Sequence, residues 1–236
     1  MKMAAGVRIY SIHDLAFTIS LNLTIGDQAH DSIIALQKEL QKILRKDLID
    51  LVPAYNSISL YFSTKTALER GLPVAIKIAD RIASLQNAAN EPFIKKEETV
   101  IVEIPVCYEL PFAFDMPAVM ELLKLTHQEI IQQHHQKTYT VFMNGFVPGF
   151  SYMGTLNETL QVPRKQVPVA KVPAGSVAIA ANQTGIYPFE GPGGWYVIGR
   201  TPLKMFDKKR SPACILAPGD LIRFKPITVK EFEHGP

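Results

Sequence analysis

GFVPGFSYMG at 145–154, PAGSVAIAANQTGIYP at 173–188 and GPGGWYVIGRTP at 191–202 are the runs that decide how this chain folds. Glycine, proline and aromatic residues recur in them between short β-type stretches. That is the composition of strands punctuated by turns, not of a packed helix. Gly149, Gly175, Gly185, Gly193 and Gly194 allow positive φ and close approach of backbone to a ligand. From Tyr139 onward the helical signal stops, and short β runs alternate with Gly/Pro turns as in a barrel or sandwich. Candidate strands are 138–144, 177–181, 195–200, 213–216 and 221–225, the last opened by a Pro218-Gly219-Asp220 turn.

Upstream, TVIVEIPV at 99–106 reads as a strong strand. Asp115 or Met116 begins a helix to about residue 125. Thr126 and Glu129 form a capping-box pattern for another helix ending at His135. Residues 89–98 are polar, contain Pro92 and read as a linker. Before it, 7–12 and 16–21 alternate like strands, and Asp27 or Asp31 is the expected cap of a helix reaching Arg45. Ile33, Ile34, Leu36, Leu40, Ile43 and Leu44 fall largely on one stripe of it. Strands at 48–54 and 57–62 flank an Ala-Tyr-Asn turn. A second amphipathic helix is expected after Pro73, through Ile76, Ala79, Ile82, Ala83 and Leu85. The fold class is therefore α+β: an N-terminal α+β domain over 1–88, a linker over 89–98 and a β-rich barrel or sandwich domain over 99–236.

The 236 residues are 47% hydrophobic and 20% charged, which fits a globular chain with a real core. A net charge of +3 is too mild for nucleic-acid binding, and Lys95-Lys96 and Lys208-Lys209-Arg210 read as solvated loop charges. Two cysteines, Cys107 and Cys214, argue against a disulfide framework and for a reducing compartment. Arg8, His13 and Asp14 interrupt the N-terminal apolar residues, so no cleavable signal is expected. No uncharged apolar run approaches the roughly 18 residues of a membrane span, and a cytoplasmic location is expected.

Familiar chemical motifs are missing. There is no phosphate-binding G-x-x-x-x-G-K-[ST] loop, no G-x-S-x-G elbow around Ser176, and no CxxC pair. His134 and His135 are adjacent and point about 100° apart on a helix, which does not make a metal pair. What remains is a polar and aromatic set. Arg164 and Arg200 each offer a planar fork to a carboxylate or phosphate. Ser176, Gln183 and Thr184 can orient an amide or carboxylate. Tyr152, Tyr187 and Trp195 supply flat walls with a polar edge. A barrel also needs glycines at its corners, and Gln183-Thr184-Gly185 is equally readable as a plain turn. On the residues alone, a binding surface and a set of structural turns both remain open.

The three long motifs closely resemble the KipI/PxpB family, which is related to allophanate hydrolase subunit 1 and to part of the carboxyltransferase domain of urea carboxylase. Ile104-Pro105-Val106-Cys107-Tyr108 and Asp115 fit the same pattern, and the resemblance spans nearly the whole chain. It implies a small N-terminal α+β domain followed by a cyclophilin-like barrel. It also implies a KipA/PxpC-like and a PxpA-like partner subunit, together forming an ATP-dependent 5-oxoprolinase that opens 5-oxo-L-proline to L-glutamate. ATP with Mg would belong to the complex, with no cofactor held by this chain alone. In that reading Arg164, Ser176, Gln183, Thr184, Tyr187, Trp195 and Arg200 contact substrate. Two further activities are implied by relatives: inhibition of a sensor histidine kinase, and carboxyl transfer as a half-domain of urea metabolism. The chain departs from the family at Glu109-Leu110, where two glycines are usual, at Val169, where an arginine is usual, and at Ala181, where a glycine is usual.

Overall fold

The computed structural model describes residues 3–4, 7–88 and 101–235. The chain divides into two compact units, Met1–Glu97 and Glu98–Pro236. The expected linker at 89–98 lies outside the described residues.

In the first unit β1 (Met3–Ala4), β2 (Val7–His13), β3 (Ala16–Leu21), β4 (Leu48–Pro53) and β5 (Ser57–Phe62) form one sheet in the order β1-β2-β3-β5-β4. All its pairings are antiparallel. Helices α1 (Asp27–Leu44) and α2 (Lys65–Ala88) supply the rest of the core. Ile33, Leu36 and Leu40 of α1 pack with Ile19, Ile58, Leu60, Ala75, Ala79 and Ile82. The expected caps Asp27 and Asp31 do not cap α1. Gly26 stands at the N-cap, and Asp27 is the first helical residue, where its charge favours the helix N-terminus. Helix α2 starts well before Pro73, because Thr64 precedes its first residue and the Thr64 hydroxyl accepts the Ala67 N–H at 3.1 Å. Pro73 sits inside the helix on its exposed side. There the carbonyl it leaves unbonded faces water, which makes an interior proline tolerable. The side chain of Leu85 lies outside the described residues.

The second unit contains β6 (Ile101–Val106), α3 (Met116–Leu123), α4 (His127–His135), β7 (Thr138–Asn144), β8 (Ser151–Gly154) and a 3-10 turn (Glu158–Leu160). Then follow β9 (Val169–Val172), β10 (Ser176–Ala180), β11 (Gln183–Ile186), β12 (Gly191–Gly193), β13 (Tyr196–Arg200), β14 (Leu221–Pro226) and α5 (Val229–His234). Seven strands make a curled sheet in the order β13-β10-β11-β8-β7-β14-β6, antiparallel except for β14 on β6. The curl brings its ends together. Just past β6, Cys107 exchanges two 2.9 Å backbone bonds with Arg200 at the end of β13. β9 and β12 form a separate two-stranded ribbon.

Three expectations are corrected. Residues 213–216 form no strand; Cys214 makes one isolated bridge to Phe206. Gln183-Thr184-Gly185 belongs to a strand, not a turn, because β10 and β8 bond it on both sides. β8, β9 and β12 are strands absent from the expected set: β8 and β12 contain glycine, and the short β9 is flanked by Pro168 and Pro173.

β10, SVAIA, explains how one sheet serves two cores. Val177 and Ile179 face the main core with Ile104, Val141, Met153 and Ile198, while Ala178 and Ala180 face a second cluster of Phe150, Tyr187, Trp195 and Val197. Side chains alternate along a strand, so large and small residues are sorted to opposite faces. The small face leaves room above it for aromatic rings.

Candidate functional site

The aromatic rings stand where that room exists. Phe150 makes edge-to-face contacts with Tyr152, Tyr187 and Trp195 at centroid distances of 4.7, 5.1 and 5.6 Å. Gly185 lies beneath them. A Cβ there would come within 2.9 Å of Phe150 and 3.1 Å of Trp195. Over the rings opens a cleft of about 310 Å³, lined by residues including Phe146, Tyr152, Arg164, Lys165, Tyr187 and Trp195. Pro168, Pro192, Gly193 and Gly194 complete its rim.

Three charged groups set the electrostatics. Arg164 is exposed, with its guanidinium carbon 5.9 Å from the Trp195 ring centre. Among the described residues it has no ion-pair partner. Lys165 is held differently. Its Nζ donates to both Asp115 carboxylate oxygens, at 2.7 and 2.6 Å, and lies 5.4 Å from the ring centres of Phe114 and Tyr196. Both side chains of this ion pair are largely covered, at 12% and 14% exposure. Asp115 is fixed in turn by the Val197 N–H, which donates to Oδ2 at 2.8 Å. Burial raises the Tyr187 phenol above its ordinary pKa, opposed by the Trp195 backbone N–H bonded to it and by Arg164. Burial likewise raises Tyr152, again opposed by Arg164. Both phenols therefore keep their protons at neutral pH.

Of the sequence candidates, the structure gathers Tyr152, Arg164, Tyr187, Trp195, Gly193 and Gly194 around this cleft. It places the others elsewhere. Thr184 points into the main core, where His134 Nε2 is 3.0 Å from its hydroxyl and Tyr108 Oη is 2.7 Å from Nδ1. The Thr184 hydroxyl donates to the Ala178 carbonyl, so His134 donates to Thr184 through Nε2 and accepts from Tyr108 at Nδ1. Ser176 is buried, its hydroxyl without a hydrogen-bond partner among the described residues. Gln183 shares the aromatic face of β11 with Gly185 but does not line the cleft. Arg200 donates through Nε to the Ala174 carbonyl at 2.7 Å and lies over Phe232 of α5. Gly149 and Gly175 have φ of 83° and 81° and shape the turns on either side.

Sequence reading did not single out Lys165, Phe146, Phe150, Pro168 or Pro192, and took Asp115 as a helix start and part of the family pattern but not as a site residue. Lys165 adjoins Arg164, but its partner is 50 residues away, and only the fold joins them. Among the described residues no cluster of His, Cys, Asp and Glu forms a metal site, and no helix is long and apolar enough to cross a membrane.

Comparison with known proteins agrees with the fold. Residues 7–216 match the family model described as carboxyltransferase domain, subdomain C and D. The chain is 32% identical to the B-type subunit of 5-oxoprolinase from Bacillus subtilis (strain 168), over 98% of its length and 97% of the relative's. It is also 32% identical to the Escherichia coli O157:H7 protein of the same name, over 93% and 95%. A conserved uncharacterized protein of Pyrococcus horikoshii superposes at a TM-score of 0.55 with 35% identity, over 95% of this chain and all of that one. Another solved protein, 31% identical, superposes at 0.73 over 94% of this chain, which spans 40% of that larger molecule. The Kluyveromyces lactis urea carboxylase shares the fold, at a TM-score of 0.70 and 15% identity over 97% of this chain and 22% of its own.

Proposed function

Because the chain belongs to the carboxyltransferase-domain family, as do the B-type subunits of 5-oxoprolinase, we propose that it is one subunit of a 5-oxoprolinase-type amidohydrolase. It would act in the cytoplasm with KipA/PxpC-like and PxpA-like subunits to open 5-oxo-L-proline to L-glutamate at the expense of ATP. The observation that carries this reading is the exposed Arg164 guanidinium, without an ion-pair partner among the described residues and seated over Trp195 in an aromatic cleft. 5-Oxo-L-proline is small, nearly flat and carries one carboxylate. A guanidinium fork pairs such a carboxylate through two parallel hydrogen bonds. Tyr152 and Tyr187 keep their protons and can donate to a lactam carbonyl, while the ring faces of Trp195 and Phe150 cover the apolar edge.

No serine, threonine, cysteine or carboxylate lines the cleft. Its residues do not fit an ATP–magnesium pair, whose cation needs carboxylate or other hard oxygen ligands. In this proposal the nucleotide is held outside this cleft. The test is reconstitution with the proteins encoded beside this chain, with ATP-dependent release of glutamate from 5-oxo-L-proline as the readout. The expected result is activity that needs this chain and that falls about 100-fold or more in Arg164→Met, as for a lost charge-assisted contact. Full activity in a complex lacking this chain would rule the reading out. Carboxyl transfer to or from biotin, with no glutamate formed, would replace it by the carboxyltransferase reading that the family match also supports.

A further inference from the structure

The cleft holds two adjacent cations, and they are not equivalent. Lys165 is neutralised by a carboxylate that is covered, doubly bonded and anchored to the β13 backbone, whereas Arg164 has no acidic partner among the described residues. No carboxylate lines the cleft itself. An ion pair at about 13% exposure is little screened by solvent, so Lys165 contributes almost no net positive field to a ligand beside Arg164.

We propose that Asp115 sets the charge selectivity of the cleft: by occupying Lys165 it leaves Arg164 as one uncompensated cation, so the cleft accepts flat monocarboxylates and rejects dianions. This deepens the reading of the cleft given above and rests on it. Asp115 touches no ligand; it acts through Lys165 as a specificity-determining residue. A second carboxylate entering the cleft would meet the Asp115–Lys165 dipole with its cation already satisfied. It would lose its water without gaining a partner, which is unfavourable.

Asp115→Asn separates this role from folding, because the amide oxygen still accepts the Val197 N–H while the charge is gone. It releases Lys165 as a second cation. Binding of 5-oxo-L-proline and of glutarate, a dicarboxylate dianion at pH 7.5, is measured by calorimetry on the full chain and on the reconstituted complex. The wild type is expected to prefer 5-oxo-L-proline. In Asp115→Asn the preference shifts toward glutarate by about tenfold, the size of one partly screened charge contact. Lys165→Met is the opposing variant. It leaves the Asp115 carboxylate uncompensated near the cleft and weakens both ligands, glutarate the more. Thermal melts of both variants confirm that they fold.

The outcomes are distinct. Wild-type binding with an unchanged ligand ratio in Asp115→Asn overturns the selectivity device and leaves the cleft reading standing. No binding of either ligand, in the chain or the complex, overturns both. A ratio shifted toward glutarate in Asp115→Asn and toward 5-oxo-L-proline in Lys165→Met supports the proposal, since a merely structural role would lower both affinities by the same factor and leave the ratio unchanged.

Discussion

A Cβ added to Gly193 would run into the Tyr187 phenol, whereas one on Gly191, two residues earlier, would meet nothing within 4 Å. The two glycines belong to the same short strand, and the contrast is set by what each faces. Gly193→Ala must push the Tyr187 ring into the cleft or toward Phe150, an overpacking that costs about 1–3 kcal/mol. Gly191→Ala should stay within about 0.5 kcal/mol of wild type, as for an unobstructed surface change. Urea unfolding followed by the fluorescence of Trp195, the sole tryptophan of the chain, measures both. Equal effects would mean that the Tyr187 ring is not packed as described. Of the five glycines singled out in the sequence, four thus have different reasons, while Gly194 has neither positive φ nor a close contact. Gly149 and Gly175 have positive φ, and a Cβ on Gly175 would also strike the Thr201 carbonyl. Gly185 and Gly193 are required by crowding from the rings of Phe150, Trp195 and Tyr187, which stand on the segments just beyond the strands.

Helix α1 lacks a capping side chain although the sequence around it is rich in candidates. Its N-cap, Gly26, has φ of 163°, an extended backbone that any residue adopts, and open space surrounds the place a Cβ would take. Gly26→Ser would supply an oxygen for a first-turn N–H and reduce the freedom of the unfolded chain. Together these should stabilise the first unit by about 0.5–1 kcal/mol. Circular dichroism at 222 nm during urea unfolding is the proper probe, because Trp195 lies in the other unit; no gain would show that Gly26 is not an open cap. The helices that were easiest to read carry their caps openly. Thr126 and Glu129 form the capping box expected for α4. Thr228 and Glu231 form the same box for α5, passed over because six residues are too few to show periodicity. Elements were lost where local signals conflicted with long-range pairing. Pro73 reads as a helix start but is tolerated inside α2 by facing solvent. Gln183-Thr184-Gly185 reads as a turn but is held as a strand by two neighbours.

Over the whole molecule, what the sequence made legible was composition: a helical and β-paired first unit, a Gly/Pro-punctuated second one, and within it a small set of arginine and aromatic candidates. What it hid was meeting. The sheet curls until Cys107 pairs with Arg200, Asp115 reaches Lys165, and His134 is buried between Tyr108 and Thr184. That last meeting makes a prediction for the second unit. His134 is fully buried, stacked on Phe224 at 4.4 Å, and bonded to Tyr108 and Thr184. Burial, with a smaller contribution from neighbouring His135, lowers its pKa from 6.5 to about 3. A group whose folded pKa is depressed in this way binds its proton more readily in the unfolded chain. The stability it confers is complete above pH 6.5 and is lost as pH falls toward 3, by about 1.4 kcal/mol per pH unit once well below 6.5. Between pH 6.5 and 5 this loss precedes the titration of Glu129 and Glu231, which their hydrogen bonds to Thr126 and Thr228 hold below the usual value of 4.5. Urea unfolding read by Trp195 fluorescence should therefore weaken steadily across that interval. In His134→Asn, less stable at pH 7 because the Asn amide cannot span from Tyr108 to Thr184, the slope attributable to this histidine should vanish. An unchanged slope in that variant would place the pH dependence elsewhere and would mean that the imidazole is already protonated, or exposed, in the folded barrel.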